Sequence, residues 1–267
     1  MNFKEMMLNG QLPENLKVID AHGHLGIFPG TVGVDGGYKK LIEVMDKRGI
    51  ICTAVSSTYA IKGDYILGNN DMLEAVSHSN GRILGYVTVN PNYEDGTVSE
   101  IERCKKDGVV GIKIHTSHSM VRINDERLKS CLDYANEKGS IVLVHVFSLN
   151  DVKEMEKAII NYPDAKFIIA HSGVESGYRL TAELIKNHKN AYCDICMGYP
   201  RANLLEHLVK YGDDNKILFG SDTPLTDPGT SFGRIMLSDI PDKSKEKILG
   251  LNFINLIDEF NLYKHTH

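Results

Sequence analysis

Long apolar runs are missing from this chain of 267 residues, and so is any clustering of charge. No stretch approaches the ~20 apolar residues of a membrane-spanning helix, which argues against a membrane role. Lysine and arginine are spread along a chain of formal net charge -5, so there is no electrostatic footprint for nucleic acid or for an anionic membrane surface. Residues Met1 to Asn15 lack the basic start, apolar run and small-residue cleavage site of a signal peptide. Cysteine is sparse and odd in number: Cys52, Cys104, Cys131, Cys193 and Cys196 cannot form a fully paired disulfide framework. Internal repeats, low-complexity tracts and Pro/Gly-rich linkers are also lacking. The expectation is one domain over residues 1–267, cytoplasmic, working on a small molecule, with a homodimer as the default assembly.

Against these absences stands a regular alternation. Short β-branched runs recur at Leu16 to Ala21, Ile50 to Ser56, Arg82 to Val89, Val109 to His115, Ile141 to Val146, Lys166 to Ala170, Ala191 to Ile195 and Lys216 to Gly220. Between them lie apolar stripes of helical period, such as Tyr38, Leu41, Ile42 and Met45 before Gly49, and Leu128, Cys131, Leu132 and Ala135 before Gly139. Thr97 with Glu100 reads as a capping box opening a helix that closes at Gly108. Strand followed by helix, repeated, implies parallel strands joined by crossovers. A single-domain (β/α)8 TIM-like barrel is the expected fold. The alternative is an open doubly wound sheet, but the turn Gly23-His24-Leu25-Gly26 is not a G-x-G-x-x-G phosphate cradle.

In a barrel, chemistry gathers at the carboxyl ends of the strands. The first strand ends in His22 and His24, whose i, i+2 spacing puts both side chains on one side. The fourth ends in Lys113 and His115, the fifth in His145, the sixth in His171 and the eighth in Asp222. Any one of these is compatible with an ordinary buried polar residue. Together they form an imidazole and carboxylate set of the kind a borderline divalent cation takes, with a coordination position left for water. The Cys193-x-x-Cys196 pair could be redox-active or zinc-binding, but with no second C-x-x-C it reads better as two packed thiols.

These residues carry a resemblance. Asp20-Ala21-His22-Gly23-His24, the Gly111-x-Lys113-x-His115 string, His145, His171 and Phe219-Gly220-Ser221-Asp222-Thr223-Pro224 occur in the order seen in the amidohydrolase superfamily, particularly its amidohydrolase-related branch. Ile248 to Asn252 is similar to that branch's closing helix. The resemblance implies a distorted barrel holding a divalent metal, most simply one Zn2+, through His22, His24, His145 and Asp222. His171 would act beside it as an acid/base or substrate contact. Two-metal members suggest a second arrangement, in which Lys113 is carboxylated and bridges. The branch often has Trp after the last Ser-Asp; here Thr223 follows and the chain contains no Trp.

The implied activity is hydrolysis of an amide, ester or lactone in a small carboxylate-bearing substrate by a metal-activated water. Asp222 would move the proton and His171 would steady the oxyanion. Lys113, His115 and Arg201 are the candidate substrate contacts, with Arg179 a weaker one. The same residues are compatible with a decarboxylase or hydratase. A two-metal phosphodiesterase or nuclease would want a basic entrance that is not evident, and a non-catalytic metabolite-binding barrel is the third alternative. Specificity is expected from the loops Ile27 to Gly37, Tyr59 to Asn70 and Thr223 to Thr230.

Overall fold

The computed structural model describes residues 2–28, 35–196 and 202–258. Eight parallel strands lie in sequential order: β1 Ile19–Leu25, β2 Cys52–Ser57, β3 Ile83–Thr88, β4 Val109–Ile114, β5 Ile141–Val144, β6 Lys166–Ile169, β7 Ala191–Asp194 and β8 Ile217–Leu218. Beyond the two-residue β8, the ring closes onto β1 through backbone bonds from Ala21 N to Phe219 O (2.8 Å), Asp222 N to His22 O (2.8 Å) and His24 N to Thr223 O (2.7 Å). The expected (β/α)8 barrel is therefore the fold.

Strand residues alternate between two apolar clusters. On β5, Ile141 and Leu143 face the barrel interior while Val142 and Val144 pack outward against the helices; Ile168 and Ala170 alternate with Phe167 and Ile169 along the sixth strand and its exit. The interior cluster is closed by Phe253, Ile254, Leu256 and Ile257 of the last helix, Asn252–Asp258. Burying a side chain such as Phe253 is worth about 1.5–3 kcal/mol. Gly250 is required just before that helix, because a Cβ there would sit 2.4 Å from Lys17 O.

The helical stripes form as expected: Tyr38–Arg48 and Lys129–Lys138 end at Gly49 and Gly139, both left-handed. Three expectations change. Thr97 makes no side-chain cap, and its helix runs only from Val98 to Arg103. Glu100 instead accepts from Asn69 Nδ2 (2.7 Å) and from the Arg103 guanidinium, a buried carboxylate being better satisfied by a charged fork than by one amide. The Tyr59 to Asn70 stretch is not a loop, since Thr58–Lys62 and the start of Tyr65–His78 are helical, capped by Ser57 and Asp64. Thr223 to Thr230 is irregular only until a helix starts at Pro228. Among the described residues no helix is long and apolar enough to cross a membrane.

Candidate active site

β1 extends through Leu25, so both histidines lie within the strand rather than beyond it. Its pairing with β2 shifts between Asp20 and Gly23, where three steps on β1 match two on β2. Ile19 and Ala21 belong to the interior cluster, whereas Leu25 belongs to the outer one. The bulge reverses the alternation and turns His22 and His24 inward. Bulges next to active sites commonly re-aim a side chain in this way.

Both histidines are buried, with ring centroids 5.1 Å apart. Asp222, left-handed at φ 60°, faces them across the seam: its Oδ1 is 3.0 Å from His24 Nε2 and 3.9 Å from His22 Nε2. The ligand atoms of these three residues lie within 4.8 Å of one another. Their other ring nitrogens are also held. His22 Nδ1 is 2.8 Å from Asp194 Oδ2, and His24 Nδ1 is 3.0 Å from Ser56 Oγ and 3.3 Å from Ser56 O. Ser56 thus offers His24 either a donor or an acceptor, while the Asp194 carboxylate offers His22 only an acceptor.

Electrostatics favour neutral imidazoles and an ionised carboxylate. Burial pushes the His22 pKa down to about 4 and lowers that of His24. Burial would raise Asp222, but the hydrogen bond from His24 and its electrostatic pairing with the facing histidines outweigh it and hold its carboxyl well below the usual range. A divalent cation binds neutral imidazole and carboxylate, and each His here has an outer hydrogen-bond partner that aims its ring. The donor set therefore fits such an ion.

The other expected site residues arrange themselves around this group. Lys113 is buried with Nζ 2.9 Å from His22 Nε2, and burial lowers its pKa. His171 follows β6 in a left-handed turn, its Nδ1 donating to Cys196 O (3.0 Å) and its Nε2 facing His145 Nδ1 at 3.2 Å. His145 enters neither the His22, His24 and Asp222 group nor the second tight buried group, His22, His171 and Cys196; it stacks on His115 (centroids 4.0 Å) and on Phe147, with its pKa lowered to about 2 by burial and by His171. His115 lines the same wall. Arg201 lies outside the described residues, and so does part of the Ile27 to Gly37 loop.

A cavity of about 610 Å³ opens above the group, lined among others by His24, Phe28, His115, His145, Phe147 and Asp222. Lys113 is not in its lining; it sits beneath, on His22. Two residues escaped sequence reasoning. Asp194 ends β7, and Cys196, read as a packed thiol, places Sγ 3.1 Å from His22 Nδ1 and 3.2 Å from His171 Nδ1. The available signal was position: Tyr192 faces inward, so two-residue spacing also sends Asp194 and Cys196 inward.

A closed parallel barrel with buried imidazole and carboxylate donors at the carboxyl ends of its strands defines a class of metal-dependent enzyme. Comparison places the chain within that class. Residues 19–254 match the amidohydrolase family model, and the chain belongs to that family, whose members are metal-dependent hydrolases and decarboxylases. No curated protein sequence matches it. Its fold is similar to 5-carboxyvanillate decarboxylase from Sphingomonas paucimobilis, at 12% identity and TM-score 0.75 over 91% of this chain and 99% of that one. It is also similar to a probable 2-pyrone-4,6-dicarboxylic acid hydrolase from Acinetobacter baumannii with citric acid bound (18%, TM-score 0.70, 91% and 99%). A third is a dihydroxybenzoic acid decarboxylase from Polaromonas sp. JS666 with bound manganese and 2-nitroresorcinol (16%, TM-score 0.71, 93% and 99%).

Proposed function

We propose that this enzyme hydrolyses an amide, ester or lactone bond in a small carboxylate-bearing molecule, using one divalent ion, Zn2+ by preference. The observation that carries the reading is the convergence of His22, His24 and Asp222 at the floor of the cavity. These three would hold the ion, with His145 the fourth ligand by family analogy. A bound ion supplies Lewis-acid polarisation of an oxygen and a more acidic water. The remaining work falls to the chain. Asp222, kept ionised, receives a proton at the carboxylate. His171 Nε2, held 3.2 Å from His145 Nδ1, acts beside the ion as acid/base or substrate contact. His115 and Arg201 are assigned to the substrate side, Lys113 expected there lies beneath on His22 instead, and the rings of Phe28 and Phe147 exclude water from the substrate. We place the protein in the cytoplasm, as a homodimer.

Two ions form the second reading, favoured by the buried Lys113 beside His22, whose pKa burial lowers, and by the facing ring nitrogens of His145 and His171. A carboxylated Lys113 would then bridge. Metal content per chain, measured for wild type, His24→Ala and Asp222→Asn, tests both, alongside turnover on carboxylate-bearing lactones, esters and amides. Aromatic acids followed by CO2 release test the decarboxylase alternative. One ion per chain, lost with turnover in both variants, is expected. Full metal and full turnover in either variant refutes the assignment, and CO2 release without hydrolysis moves the reaction to the decarboxylase class.

A further inference from the structure

Asp194 bonds to two of the strand-end histidines, His22 and His171, and no step above uses it. Its carboxylate is fully buried at the end of β7. Oδ2 accepts from His22 Nδ1 at 2.8 Å, while Oδ1 accepts from His171 N at 2.9 Å, Cys196 N at 3.2 Å and Cys196 Sγ at 2.9 Å. The Asp194 carbonyl accepts from Ser172 Oγ.

The turn that Asp194 grips is strained. His171, Ser172 and Gly173 are left-handed in succession, at φ 60°, 51° and 72°, and Val174 follows at φ 52°, ψ -147°. Non-glycine residues in this region are strained and persist only where surrounding contacts enforce them. By alternation with Ala170, which faces inward, His171 would otherwise point outward.

We propose that Asp194 is a positioning residue with two tasks: it fixes His22 as the Nδ1–H tautomer, leaving the Nε2 lone pair for the metal, and it locks the left-handed turn that presents His171. The proposal rests on the reading of His22 as a ligand. Geometry makes the first task specific. The two backbone N–H groups and the thiol facing Oδ1 require an acceptor there, so an asparagine at 194 must turn its NH2 toward His22. An NH2 can only donate, so His22 would have to accept at Nδ1 and carry its proton on Nε2, where the ion belongs. Lys113 Nζ, 2.9 Å from that nitrogen, would become the acceptor as a neutral amine.

The test uses 15N-labelled, metal-free full-length protein, with His22 ring nitrogens assigned by ring NMR, and zinc affinity measured against a chromophoric chelator. Wild type is expected to show His22 protonated at Nδ1. Asp194→Asn is expected to show the proton on Nε2 and to bind zinc about 10- to 100-fold more weakly per folded chain. A merely structural role would lower the melting temperature and leave both readouts unchanged, which would overturn the proposal. Wild type with His22 protonated at Nε2 overturns it as well, and that measurement stands even where the variant fails to fold. His22→Ala binding zinc as tightly as wild type would instead overturn the ligand reading, which separates the two failures.

Discussion

Asp20→Asn should stabilise the metal-free protein at alkaline pH relative to wild type. Asp20 is fully buried, and burial pushes its pKa from 3.8 up to about 7, against opposing hydrogen bonds from Ser221 and His22. Oδ1 accepts from His22 N and Ser221 N, each at 3.0 Å, and Oδ2 accepts from Ser221 Oγ. A group raised on folding contributes stability that is fully present below its unfolded value, near 3.8, and is lost as pH rises through its folded value, near 7. From pH 5 to pH 8 the native chain therefore sheds about 2 units of this linkage, or roughly 2–3 kcal/mol at about 1.4 kcal/mol per unit. Asparagine mimics the protonated acid: its carbonyl keeps both backbone bonds and its NH2 donates to Ser221 Oγ. Urea unfolding with a chelator present, at half-unit steps from pH 5 to 8.5, should show the wild-type minus variant difference moving by that amount in the variant's favour. Parallel curves would refute the reasoning.

The thiols give a second prediction. All five cysteines are buried, and burial raises the pKa of Cys52, Cys104, Cys131 and Cys193 to about 12 and that of Cys196 well above 9.0. A disulfide reagent at pH 8 should find no fast-reacting thiol in the native protein and five after denaturation; rapid labelling of Cys196 would contradict its burial. Packing gives a third. Gly68→Ala would place Cβ 2.1 Å from Ala60 N and 2.6 Å from Ala60 Cα, where two helices cross backbone to backbone. A loss of about 2–4 kcal/mol in urea unfolding is expected, and a change under 0.5 kcal/mol would show that the crossing is looser than described.

Much of this architecture was legible because parallel strands advertise themselves. Eight β-branched runs separated by helical stripes led to the barrel, and glycines at 49 and 139 marked helix ends by needing left-handed backbone. His22, His24 and Asp222 were found because strand ends in a barrel share one face. What the sequence concealed were the departures from period two. Nothing in Ile19 to Leu25 signals that a bulge will reverse which side chains face in, because the bulge is set by pairing with β2. The His171 turn is equally silent, since its left-handed residues include a histidine, a serine and a valine. Glu100 was misread for a related reason: a capping box is a local pattern, and the Arg103 guanidinium on the same helix outcompeted it for the buried carboxylate.

Closure of the barrel and assembly of the site depend on the same bonds. β8 contributes only Ile217 and Leu218 to the ladder, so the seam with β1 is held beyond them by Ser221 N and Asp222 N donating to His22 O. The Asp20–Ser221 clamp and His24 N on Thr223 O complete it. Gly220 sits inside this seam, where a Cβ would lie 3.1 Å from the Cβ atoms of both His22 and Cys196 and 3.3 Å from that of Asp194. Displacing β8 by even a fraction of an ångström would therefore separate Asp222 from His22 and His24 as well as open the barrel. That coupling explains why a buried carboxyl such as Asp20 is tolerated at a cost in stability. It also implies that changes in substrate preference come most readily from the cavity rim, at residues such as Phe28, His118 and Leu225, which line the cavity.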